Sequence, residues 1–132
     1  MVIFVDTSAL YSLSCAEDRN YFQAIKIWED LVKEETDLVT NNYIVVECIS
    51  LFQNRFGIDE VRTFQTKLVP FLNMDWIGEE QHAAAIQTVL TANRRNLSLV
   101  DCASFETMRR LGIETVFTFD EHFRDQGFKV IP

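Results

Sequence analysis

Apolar residues along this chain fall into two rhythms. Short unbroken runs alternate with longer stretches in which apolar positions recur at helical spacing. Residues 2–5 form a run of the first kind and stop at Asp6, as a buried parallel strand stops at a loop. Residues 20–34 carry Phe22, Ile25, Ile27, Trp28, Leu31 and Val32 at spacings that predict a helix with one broad apolar face. A minimal strand at 38–39 leads through the capping-competent residues 40–42 to a helix over 43–54. Phe56 and Gly57 break it, and residues 58–71 read as another helix with Pro70 near its end. A strand at 73–77 precedes an amphipathic helix over 79–93, with Ala83, Ile86, Val89 and Leu90 on one side. Ser98 caps a further helix that runs to Leu111 and stops at Gly112. Strands at 115–119 and 129–131 close the pattern. Strands alternating with helices throughout predict an α/β fold, a mainly parallel sheet flanked by helices.

Composition narrows this to one compact domain spanning 1–132. The chain has 132 residues, 48% of them hydrophobic, with four Gly and two Pro, and no repeat or low-complexity segment interrupts it. Eleven Phe can fill a core without a disulfide or structural metal, so a bound metal would serve chemistry. Cys15, Cys48 and Cys102 are widely spaced in apolar surroundings and read as reduced core residues. Residues 1–8 show neither a basic leader nor a cleavable apolar stretch, and no apolar run reaches about 18 residues. The expectation is a cytoplasmic protein without a membrane span. A formal net charge of −8 argues against tight nonspecific duplex binding, which draws on Lys and Arg.

Most of the 20 acidic residues read as solvated surface, but four do not. Asp6 and Asp120 each follow an apolar strand, where the carboxyl ends of parallel strands form the usual ligand crevice. Each is also a plausible helix N-cap. Glu47 sits inside YIVVECISLF and shares a helical face with Tyr43, Ile44 and Leu51. Burial there calls for a cationic partner or a raised pKa, and the local sequence offers no Lys or Arg. Asp101, in SLVDCASF, stands one turn from Leu97 and Phe105, although first-turn carboxylates also stabilise a helix by themselves.

Four such groups brought together would repel, by about 4 kcal/mol for a pair about 4 Å apart at an effective dielectric near 20. A divalent cation reverses that balance. Oxygen ligands select hard ions, Mg²⁺ or Mn²⁺, and no Cys or His cluster argues for zinc. His82 and His122 read as surface or partly packed residues, with His122 only two positions beyond Asp120.

The four acids, in the order VDTSAL, NNYIVVE, SLVDCASF and TFD, resemble the pattern of the PIN domain, in particular the small VapC toxins of bacterial toxin–antitoxin pairs. The resemblance spans nearly the whole chain. It implies a three-layer α/β/α fold and metal-dependent hydrolysis of RNA phosphodiester bonds, leaving a 5′-phosphate and a 3′-hydroxyl. It assigns Asp6, Glu47, Asp101 and Asp120 to the metal and the catalysis, with Thr7, Ser8, Asn42 and Thr118 as polar supporters. N-capping explains Asn42 equally well. Arg94, Arg95, Arg109 and Arg110 are candidates for RNA phosphates, though such pairs also occur as plain solvated helix ends. A homodimer and an antitoxin partner are further implications.

Other classes fit less well. A phosphohydrolase of the haloacid dehalogenase type wants a second acid two residues after the first, where this chain has Ser8, and a late Lys before Asp101. A receiver-like domain needs paired acids after the first strand. A non-catalytic binding module of the same fold typically lacks one or more of the site acids, whereas all four are present here; a stand-alone housekeeping nuclease would carry the same four.

Overall fold

The computed structural model describes residues 1–132. Five strands, β1 (Val2–Val5), β2 (Asp37–Asn41), β3 (Asn73–Asp75), β4 (Thr115–Phe117) and β5 (Lys129–Ile131), form one sheet. All pairings are parallel, in the order β3-β2-β1-β4-β5. Ile3, Phe4 and Val5 of β1 are all fully buried. Successive strand residues face opposite sides, so helices must cover both faces, as in a three-layer α/β/α arrangement.

The seven helices are α1 (Thr7–Ser14), α2 (Tyr21–Lys33), α3 (Asn42–Arg55), α4 (Ile58–Thr63), α5 (Glu79–Ala92), α6 (Leu99–Leu111) and α7 (His122–Asp125). The order of the strands matters more to function than their number. From β1 the chain moves one way through β2 to β3, then returns to place β4 on the other side of β1. A crevice opens where the direction reverses, beyond the carboxyl ends of β1 and β4. Asp6 follows the first of these strands directly and Asp120 lies three residues past the second.

Several elements differ from the sequence pattern. Helices α1 and α7 were not expected: the first is short and hydroxyl-rich, the second a single turn. The helix expected over 58–71 is α-helical only to Thr63, then widens into a π turn (Phe64–Leu68) and tightens into a 3-10 turn (Val69–Phe71). Pro70 explains the change, because it lacks an N–H and its ring collides with the carbonyl four residues earlier. The strands at 73–77 and 115–119 end two residues early. Beyond β3, the Asn42 side chain accepts from Ile77 N at 2.6 Å and donates to Ile77 O at 3.4 Å, so those groups leave the ladder. Phe22 is 82% exposed, and α2 buries Ala24, Trp28 and Leu31 instead. On α5 only Ala85 is buried, and Leu90 faces solvent. All three cysteines are buried free thiols. No helix is long and apolar enough to cross a membrane.

Candidate active site

Asp6 leaves β1 at the switch in strand order and caps α1. Its backbone N–H donates to Phe117 O at 3.1 Å, tying the exit from β1 to the end of β4. The side chain is only 4% exposed. Every hydrogen bond it accepts falls on one oxygen: Oδ2 takes Thr118 Oγ1 at 2.8 Å, Ser8 Oγ at 3.0 Å and Ser8 N at 3.4 Å. Oδ1 accepts none.

Ser8 and Thr118 are committed by the same network. Their hydroxyl oxygens lie 2.9 Å apart, but each has one proton, and with both donated to Asp6 neither is left for the other. Each oxygen in turn accepts a backbone N–H, Phe119 N on Ser8 and Asp120 N on Thr118, both at 2.9 Å. Two hydroxyls thus fix the loop that carries Asp120 relative to Asp6. Burial pushes the Asp6 carboxyl up to about 6, against the lowering pull of the Thr118 and Ser8 hydroxyls and the Thr7 backbone N–H, with a further push from the charge of Asp101.

Asp101 occupies the third position of α6 in a reciprocal capping box. Ser98 N donates to Asp101 Oδ2 at 3.1 Å and Asp101 N donates to Ser98 Oγ at 3.0 Å. The structural role foreseen for a first-turn carboxylate is therefore real, and the same side chain also lines the cleft. Burial raises its pKa despite the Ser98 bonds, with Asp120 adding repulsion. Asp120 holds His122 N on its Oδ1 at 2.9 Å.

Glu47 corrects the sequence reading. The buried stripe of α3 is Ile44, Cys48 and Phe52, one step around the helix, which leaves Glu47 half-buried. It has neither an ion pair nor a hydrogen bond, so the need for a cationic partner lapses. All four acids line one open cleft of about 350 Å³, together with Thr7, Ser8 and Tyr11. Asn42 does not. Asn41 is the residue that caps α3, accepting from Ile44 N at 2.9 Å, while Asn42 clamps Ile77 and borders a shallow groove on the other side of Glu47. A narrower crevice of about 200 Å³, lined by Ile77, Glu80, Glu106 and Arg110 on and beside α5 and α6, holds none of the four acids.

The arginine candidates separate. Arg109 lies over the rings of Phe105 and Phe128 and donates to Gln126. Arg110 is ion-paired with Asp75. Both stand eight or nine residues along α6 from Asp101, about 12 to 14 Å. Arg94 and Arg95 are exposed in the turn after α5.

Two site residues escaped the sequence reading. Arg19, on the α1–α2 loop, is the one cation lining the cleft and has no ion-pair partner. Its neighbour Asp18 fixes that loop by accepting from Ser12 Oγ at 2.8 Å and Asn20 N at 3.0 Å. His122, expected as a surface or partly packed residue, is partly packed and places Nδ1 at 3.2 Å from Asp120 Oδ1 and 3.7 Å from Asp101 Oδ2. Its two-residue separation from Asp120 was the only sequence signal, because Asp101 is distant in sequence.

The donor set suits a hard or borderline divalent cation. Asp6 offers a free oxygen, Glu47 a free carboxylate, and Asp101, Asp120 and His122 three ligand atoms within 4.8 Å of one another. His122 Nδ1 is buried without a hydrogen-bond partner, which is how a ligand atom looks before its ion is counted.

Comparison with known proteins identifies relatives of the whole chain. The PIN-domain family profile matches residues 3–129. The 23S rRNA-specific endonuclease VapC20 of Mycobacterium tuberculosis is 27% identical over 128 residues, covering 96% of this chain and 95% of that protein. The crystal structure of that VapC20, described as a sarcin-ricin loop cleaving toxin, superposes with a TM-score of 0.84 over 96% of this chain and 95% of its own. FitAcB from Neisseria gonorrhoeae, at 14% identity, shares the fold with a TM-score of 0.70 over 100% of this chain and 97% of the other.

Proposed function

Because the chain belongs to the PIN-domain family, we propose that it is a metal-dependent endoribonuclease that hydrolyses RNA phosphodiester bonds and acts as the toxin of a toxin–antitoxin pair. The observation that carries this reading is the convergence of Asp6, Glu47, Asp101 and Asp120, from four distant stretches of chain, on one cleft at the reversal of strand order. The activity of VapC20, a 23S rRNA-specific endonuclease, supports the substrate class.

In this reading residues 1–132 are a single PIN domain and the resident ion is Mg²⁺ or Mn²⁺. When bound, such an ion supplies the positive charge a phosphodiester needs and the Lewis acidity that readies water for in-line attack. Asp6, whose other oxygen is bonded by Ser8 and Thr118, would help hold the ion through Oδ1. Asp101 and Asp120 present carboxylates from the facing side, and Glu47 reaches in from α3. Arg19 is placed to meet a neighbouring phosphate, offsetting the repulsion between an acidic cleft and a polyanion. A homodimer, a basic antitoxin segment entering the cleft and a cytoplasmic location belong to the same reading.

The test pairs the protein with its Asp6→Asn variant on a pool of structured and unstructured RNAs in Mg²⁺, Mn²⁺ or EDTA. Cleavage that needs the ion and disappears in the variant is the expected result. Absence of both cleavage and calorimetric metal binding would overturn the reading in favour of a non-catalytic binding module.

A further inference from the structure

His122 stands out as a nitrogen donor beside two carboxylates of the cleft, Asp101 and Asp120. It opens α7, and the next residue, Phe123, is fully buried with its ring 5.0 Å from that of Phe105 and 6.5 Å from that of Phe4. That anchor fixes where His122 begins. Its own N–H is held by Asp120 Oδ1, so the backbone of this turn is oriented by one of the four acids. The imidazole turns Nδ1 inward, toward Asp120 Oδ1 at 3.2 Å and Asp101 Oδ2 at 3.7 Å, aligned for a hydrogen bond with neither.

Those separations have a chemical meaning. Neighbouring ligands of an octahedral ion at about 2.1 Å stand about 3.0 Å apart, and opposed ligands about 4.2 Å. The 3.2 Å separation is close to the spacing of neighbouring ligands, and the 3.7 Å one lies between the two spacings. A simple ion pair or hydrogen bond would leave Nδ1 satisfied by one carboxylate, whereas here it is shared between two.

Resting on the metallonuclease reading above, we infer that His122 Nδ1 is a direct ligand of the ion held by Asp101 and Asp120, and that this nitrogen makes the site prefer Mn²⁺ over Mg²⁺. Mg²⁺ takes oxygen donors and gives up water reluctantly, while imidazole suits transition ions, which Mn²⁺ joins at the start of the divalent affinity series. A site built from the four carboxylates alone would discriminate little between the two. His122 thus decides which ion occupies the cleft when both are present.

The experiment uses the full chain without RNA. Pulsed electron paramagnetic resonance of the Mn²⁺-loaded protein should show modulation from a directly coordinated nitrogen, and His122→Asn should abolish it. Asparagine keeps a polar group near the Nδ1 position but has no imine lone pair. Calorimetry with each ion should show the Mn²⁺-to-Mg²⁺ affinity ratio falling in the variant by about tenfold or more, since loss even of an outer partner of a metal ligand costs about that much. Bound Mn²⁺ without nitrogen modulation in the wild type, or an unchanged ratio in the variant, overturns the inference while leaving the nuclease reading intact. Failure of the wild type to bind Mn²⁺ while it binds Mg²⁺ overturns the inference alone; binding of neither ion, together with no RNA cleavage, overturns both. The wild-type spectrum decides the ligand question even if the variant folds poorly.

Discussion

Asp6 and Glu47 face the same cleft with opposite kinds of support. Asp6 is almost wholly buried, at the end of a central strand, with one oxygen bonded by two hydroxyls and a backbone N–H. Glu47 is half-buried, on a helix flank, and bonds to nothing. One carboxylate is held in place at a cost in free energy, and the other is left free to adjust. A site proposed to grip an ion and then accommodate a changing phosphate would have use for both: a fixed reference and an unconstrained arm.

That contrast can be broken most strongly at Asp6. Its carboxyl is raised from 3.8 to about 6, mainly by burial, so the charged form destabilises the folded state above pH 6. Below about pH 4 both folded and unfolded chains hold the proton and the penalty vanishes. Asp6→Asn should therefore stabilise the metal-free protein at pH 7 by up to about 3 kcal/mol and have no such effect near pH 4. Urea unfolding of both proteins in EDTA at the two pH values measures this. Equal stability at pH 7 would show that burial does not burden Asp6.

Thr118→Val tests the support itself. The valine fills the same buried space but removes one bond to Asp6 and leaves Asp120 N without its acceptor. A loss of about 1 to 3 kcal/mol is expected, with cleavage reduced roughly 10- to 100-fold. Retained activity with lost stability would separate scaffold from chemistry. The smallest change in stability belongs to Glu47→Gln, within about 0.5 kcal/mol, because nothing is bonded to that side chain. Its cleavage should nevertheless fall as far as that of Asp6→Asn. A stability loss above about 1 kcal/mol would mean that Glu47 has a structural partner after all.

The sequence made some of this legible and hid the rest for physical reasons. Strand-end acids stand out because a short apolar run that stops at Asp is a local signal, and Asp6 and Asp120 follow such runs. Asp101 could be read both as a capping residue and as a cleft residue, and it is both. Glu47 was legible as an anomaly but misjudged in burial, since a small rotation of the helix moves the buried stripe from its own face to Ile44, Cys48 and Phe52. Helix α7 is too short to show periodicity. His122 acquires meaning only from the proximity of Asp101, and Arg19 only from the path of its loop, and neither is encoded in local spacing. Asn41, not its neighbour Asn42, caps α3, a one-residue distinction that propensity does not resolve.

The hydroxyl pair beneath Asp6 settles a question of ownership. With both hydroxyl protons directed at Oδ2 and both hydroxyl oxygens occupied by backbone N–H groups, a proton added to Oδ2 would have to evict a donor, whereas Oδ1 can take one without disturbing any neighbour. Oδ1 is also the oxygen left for the ion. On the proposed reading, proton and metal would be rivals for a single atom, and loading the cleft in mildly acidic solution would become an exchange of one for the other.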